Sequence, residues 1–154
     1  LRFHAGLYGL AGEDVERRAG ELLGLFELTD WRDELVESYS HGMKPRLVMC
    51  AACLHRPRAV VVDEPMVGLD PRGARLIKDI FRAQSQKGVA ILMSTHTLEV
   101  AQEMCDRISI IQNGRIIARG TVEELRELAG HHDAHLTPVF LKLTGGTAFQ
   151  EIDV

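Results

Sequence analysis

"VVVDEPMVGLD", Val60–Asp70, decides how the chain is read. The β-branched run that starts at Ala59 is bounded by Pro57 and Pro65, as suits a short strand buried on both faces in a parallel sheet. Two adjacent carboxylates, Asp63 and Glu64, close the run, and a third, Asp70, stands six residues after Glu64. Asp70-Pro71 has the form of a helix N-cap followed by the first helical position. Leu76, Ile77, Ile80 and Phe81 give that helix an apolar side, and Gly88 ends it.

Downstream, "VAILMS" reads as a second buried strand, "TLEVAQEMC" as a helix and "RISII" as a third strand. Asn113-Gly114 between apolar runs signals a hairpin, because both turn positions favour positive φ. Thr121-x-x-Glu124 is a capping box that opens another helix, and the tail after Gly130 is less regular. Upstream, residues to about 55 read as helical, with Val15, Ala19, Leu22, Leu23 and Phe26 at helical spacing. Trp31–Glu37 is a polar connection or short helix. "YSHGMKPRLVMCAACL" then opens an apolar helix in which Pro45 fits only the first turn. The sum is an α/β chain with a mainly parallel sheet. Its expected parts are a helical subdomain over 1–56, an α/β core over 57–130 and a tail over 131–154.

At 154 residues, 45% hydrophobic and 26% charged, the chain suits one globular domain. Its net charge is −4 and no basic run is longer than Arg17-Arg18, so no nucleic-acid partner is expected. No apolar stretch approaches the roughly 20 residues of a membrane span. Cys50, Cys53 and Cys105 are too few for a disulfide framework. Cys50-x-x-Cys53 has metal or redox spacing, but it sits in an apolar helical stretch and reads as core. The chain starts in mid-pattern at Leu1, not at Met, as a fragment would.

Ligands of open α/β sheets bind beyond the C-terminal ends of the strands. Asp63 and Glu64 stand at one such end, and His96 follows another. A hard cation such as Mg²⁺ needs only one or two carboxylates alongside its waters. A second carboxylate would polarise a water for attack on phosphorus, and a histidine would hold a phosphate as charge moves.

In order, "YSHGM", "AVVVDEP", "GLD" and "STH" resemble the signature, Walker B, D-loop and switch-histidine motifs of ATP-binding cassette (ABC) ATPases. The resemblance covers residues 1–130, and the form of the signature is similar to that of ABC-2-type exporters. It implies a P-loop NTPase-like (RecA-like) fold, here partial, with an α-helical subdomain on the N-terminal side. By the same match, Asp63 would hold Mg²⁺, Glu64 would be the general base and His96 the switch residue. Asp70 would lie in the D-loop, and Ser40, His41, Gly42 and Met43 would face ATP held by a second nucleotide-binding domain, in a homo- or heterodimer. The signature also makes sense without the family name: a hydroxyl, a close-approach glycine and a helix N-terminus together suit phosphate. His41, Met43 and Pro45 depart from the usual glycine, glutamine and glutamine. His41 would add a donor to phosphate, whereas Met43 lacks the hydrogen bonds of glutamine.

A P-loop, G-x-x-x-x-G-K-[ST], is the missing half: none of the four lysines follows a glycine. The chain by itself is therefore expected to bind ATP weakly and hydrolyse little. Its shortened sheet should show an exposed, aggregation-prone edge. His131, His132, Asp133 and His135 read as a solvated linker rather than a metal site, and Gly145-Gly146 as tail. Tyr8, Trp31 and Tyr39 read as packing residues. "LRFHAGLYGL" would suit a groove for a membrane subunit or ordinary packing.

The function expected is the ATPase subunit of an exporter, at the inner face of the cell membrane, driving a membrane-spanning permease. The alternatives are a non-catalytic cassette without a P-loop, and a soluble ABC ATPase acting on nucleic acid or ribosomes.

Overall fold

The computed structural model describes residues 1–130 and 135–145, in two compact units that divide between Ser94 and Thr95. The first unit runs α1 (Arg2–Leu7), α2 (Glu13–Leu25), two short 3-10 turns, α3 (Met43–Cys53), β1 (Ala59–Asp63), α4 (Pro71–Gln86) and β2 (Ala90–Ser94). The second holds α5 (Leu98–Met104), β3 (Ile108–Gln112), β4 (Arg115–Gly120), α6 (Val122–Ala129) and α7 (Leu136–Leu143).

In α2, Glu13, Asp14 and Glu16 occupy the first turn, where the helix dipole favours acids. Its apolar stripe buries Val15, Leu22 and Leu23, and Phe26 and Leu28 just beyond are fully enclosed. The apolar helix α3 buries Met49, Cys50 and Cys53. Pro45 is its third residue, where no intrahelical amide bond is lost. The two thiols are free and buried, as core packing requires.

β1 and β2 pair in parallel, with Val61 opposite Leu92 and Asp63 opposite Ser94. The crossover helix α4 buries Ile77, Ile80 and Phe81 and packs on β2. The strands were expected to be buried on both faces, and here the structure differs. Burial alternates along both, leaving Val61 76% and Leu92 67% exposed. A two-stranded sheet has one crossover helix to cover one face, and no described residue covers the other.

In the second unit β3 and β4 form the expected hairpin, with Asn113 at φ 50° and Gly114 at φ 72°. Strand β3 thus pairs antiparallel to β4 in a two-stranded sheet. Thr121 and Glu124 complete the capping box of α6, and Gly130 ends that helix in the left-handed conformation. The tail is more regular than its sequence suggested. Leu136, Val139 and Leu143 recur at helical spacing in α7, and the first two are buried with Leu125, Ala101, Ile110 and Ala118. Gln102 Oε1 accepts the Leu136 amide at 2.9 Å, tying α7 to α5. His135 is the N-cap residue of α7, while His131, His132 and Asp133 lie outside the described residues. The segment expected as a helical subdomain, 1–56, thus shares a compact unit with β1, α4 and β2, and the described part of 131–154 packs with residues after Thr95.

Candidate functional site

Asp63 is the last residue of β1, and its carboxylate accepts a hydrogen bond from the Ser94 hydroxyl across the parallel pair. This contact follows from register: Asp63 and Ser94 are direct partners at the C-terminal ends of their strands. Glu64 follows in a left-handed conformation, φ 45°. Its N–H donates to the Ser94 carbonyl at 3.1 Å, and its carbonyl accepts the Val67 N–H at 3.1 Å. A non-glycine residue held there costs about 1–3 kcal/mol, and such strain concentrates at functional sites. Here it ends the strand abruptly, so that consecutive acids stand at the sheet rim instead of on opposite faces of a longer strand.

The donor set of Asp63, Glu64 and Ser94 is all oxygen, the chemistry that Mg²⁺ selects. No described cluster of three or more His, Cys, Asp or Glu would hold a metal through protein ligands alone. One or two carboxylates are the normal protein share of a Mg²⁺ shell completed by water and substrate phosphate.

Gly68 follows at φ 76°, and Asp70 caps α4, accepting the Gly73 N–H on Oδ1 at 2.8 Å. A side chain at residue 73 would meet that oxygen at 2.8 Å, so glycine there keeps the cap intact.

Ser40–Met43 form a turn that leads into α3. Ser40 is exposed, and its hydroxyl accepts the Met43 N–H at 3.3 Å. The Met43 side chain is buried, so what it offers the turn is its backbone. The imidazole of His41 lies on Gly68, where a Cβ would come within 2.7 Å of Nε2. Tyr39, buried just upstream, donates its hydroxyl to the Trp31 carbonyl at 2.6 Å and meets that indole edge-on. Tyr8 stacks on His55 at 3.8 Å. All three aromatics therefore have intramolecular packing partners, as expected.

His96 belongs to the second unit. It stands exposed in the turn ahead of α5, which the Thr97 N–H braces by donating to Thr95 Oγ1 at 3.1 Å. The first unit thus brings together Asp63, Glu64 and Ser94, and it brings Ser40–Met43 against the loop that ends at Asp70.

Two contributors escaped the sequence reading. Ser94 is found only once the strand register is known. Arg46, 17% exposed at the side chain, donates to the Gly42 carbonyl at 3.3 Å and the Phe26 carbonyl at 3.2 Å. It also pairs with Glu27 at 3.7 Å, and Glu27 in turn binds Arg72 at 3.0 Å. A left-handed Glu27, φ 53°, at the end of α2 makes this bridge possible, and no sequence pattern marks it.

A family profile described as "AAA domain, putative AbiEii toxin, Type IV TA system" matches residues 7–101. The chain is 36% identical over 151 residues to the "ABC-type transporter ATP-binding protein EcsA" of Bacillus subtilis (strain 168), covering 98% of this chain and 61% of that protein. Over 140 residues it is 34% identical to the "Uncharacterized ABC transporter ATP-binding protein YthP" of the same organism, covering 91% of this chain and 59% of that one. The "Daunorubicin/doxorubicin resistance ATP-binding protein DrrA" of Streptomyces peucetius is 40% identical over 124 residues, which are 80% of this chain and 38% of that protein. A solved "Structure of ATP binding subunit of ABC transporter" superposes with a TM-score of 0.85 at 36% identity, over 93% of this chain and 60% of the other. The chain therefore spans about three-fifths or less of these relatives. With a profile match across more than half of its length, the chain belongs to the AAA-domain family, and it corresponds to part of the ATP-binding proteins of ABC transporters.

Proposed function

We propose that this chain is the signature- and Walker B-bearing part of the ATP-hydrolysing subunit of an ABC-type exporter. The observation that carries the reading is the acid pair at the rim of β1, with Glu64 strained into place beside an Asp63 oriented by Ser94. Mg²⁺, when bound, neutralises charge on the phosphate oxygens of ATP. Asp63 offers it a carboxylate oxygen. Glu64 accepts the proton of the attacking water, and His96 holds the γ-phosphate. Ser40 and the backbone of His41, Gly42 and Met43 face ATP of a second nucleotide-binding domain, with Asp70 in the loop that crosses between the two. This reading requires a phosphate cradle, G-x-x-x-x-G-K-[ST], that these 154 residues do not contain.

No helix among the described residues is long and apolar enough to cross a membrane. In this reading a separate membrane-spanning permease carries the cargo, with this subunit peripheral at the inner face of the cell membrane. The exposed apolar residues Phe3, Leu7 and Tyr8 of the α1 region would face that permease.

The test is Glu64→Gln in the intact subunit that includes a P-loop. Mg-dependent ATP turnover should fall by about 10²–10⁴-fold with nucleotide binding retained, the range of a lost general base. Unchanged turnover would remove Glu64 from that role. The 154-residue chain by itself should show no turnover above background. The second reading, a non-catalytic cassette, draws on the missing Gly-Lys pair, and it prevails if the full-length protein carries no P-loop and shows no turnover.

A further inference from the structure

We infer that His41 is a positioning residue: its ring clamps the loop Gly68–Asp70 to the signature turn of the same chain. The inference rests on the proposed ATPase reading for its consequence but on geometry for the contact. His41 stands where the signature pattern usually has glycine, so the ring is an addition that needs a place. That place is Gly68. A Cβ on Gly68 would lie 2.7 Å from His41 Nε2 and 3.0 Å from Cδ2, so the ring packs directly on that glycine. Gly68 is favoured as glycine by φ 76°, and the exposed ring packed on it would have to swing aside for any side chain there. Gly42 adds to the seam, since a Cβ there would lie 3.7 Å from the Gly68 carbonyl and 3.8 Å from Leu69 Cδ2.

Both sides of the seam have a second connection. Arg46 grips the Gly42 carbonyl and Glu27, and Glu27 grips Arg72 in the first turn of α4, two residues past Asp70. The signature turn and the D-loop are thus joined by the imidazole and by a separate, partly exposed ionic bridge. In the proposed dimer these segments serve nucleotide sites across the interface. A displacement of one would be passed to the other through His41, and the ring would act on the D-loop rather than donate to phosphate.

Three measurements test this. In the 154-residue chain, His41→Gly and His41→Ala should each speed amide exchange at Val67 and Leu69 by about 3–10-fold and leave Ile77 and Ile80 in α4 unchanged. Gly68→Ala should lower the thermal midpoint more in the native background than in a His41→Gly background, because in the native chain the ring must also give up its place on residue 68, whereas without the ring only backbone strain is left. In the intact subunit, His41→Gly should lower kcat by about 3–10-fold with KM for MgATP within twofold. Equal midpoint losses in the two backgrounds would overturn the inference. So would a rise in KM at constant kcat, which would put the ring on the nucleotide. An intact native subunit without turnover would refute the ATPase reading alone, because exchange and the paired substitutions still judge the clamp.

Discussion

Asp70→Ala separates the helix-capping duty of Asp70 from any role at a dimer interface. In the single chain its Oδ1 already accepts the Gly73 N–H at 2.8 Å and closes the open end of the 16-residue α4. Loss of such a cap costs about 1 kcal/mol. Loss of a negative charge at an exposed helix N-terminus adds about 0.3–0.5 kcal/mol at low salt. The sum is roughly 1.4 kcal/mol, a tenfold fall in the folded-to-unfolded ratio, and with a urea slope of about 2 kcal/mol per molar the midpoint should drop by about 0.7 M. The assay is urea denaturation read by Trp31, the sole tryptophan, which lies in the same unit as α4. Asp70→Asn keeps the acceptor and should lose no more than about 0.25 M at the same slope. A drop below about 0.2 M for Asp70→Ala would refute the cap, and an Asn variant as weak as Ala would show that charge, not the hydrogen bond, holds the helix end.

Leu22→Ala removes a fully buried side chain from α2 and should cost about 3 kcal/mol, seen as a large loss of midpoint in the same titration; a cost under 1 kcal/mol would mean that the site is not packed as observed. Val61→Thr on the uncovered sheet face should change stability by less than about 0.5 kcal/mol while reducing light scattering on concentration; a clear loss of stability would show that the face is covered. Burial pushes the Cys50 thiol up to about 12, with Cys53 beside it adding to the effect. As pH rises above about 8.5 the unfolded chain loses this proton and the folded chain keeps it, so stability should fall toward pH 12. Iodoacetamide at pH 9 should spare Cys50 until urea is added, and labelling at the rate of a free thiol in the folded chain would count against its burial.

Local chemistry was readable from the residues because each signal acts within a few positions. The Asp70-Pro71 cap, the Asn113-Gly114 hairpin and the Thr121–Glu124 box all form as their spacing demanded. Such features depend on φ preference and on hydrogen bonds to the nearest amides, which the sequence carries directly. The tail was undervalued because a short helix of eight residues has little signal of its own and is secured by burying Leu136 and Val139. Exposure of Val61 and Leu92 was equally illegible, since β-branched residues favour a strand whether or not something covers it.

The sequence by itself determined the strand–helix–strand order and the succession of stretches that resemble the signature, Walker B, D-loop and switch-histidine motifs. Only the tertiary structure decided which atoms meet. Parallel register, a long-range property, sets Ser94 on Asp63. The bend at Glu27 lets one carboxylate bridge arginines 26 residues apart, Arg46 and Arg72. The meeting of α3 with the loop before α4 lays His41 on Gly68. Pairings of this kind depend on where distant segments are packed, and packing is fixed by the whole buried surface rather than by any neighbouring residue.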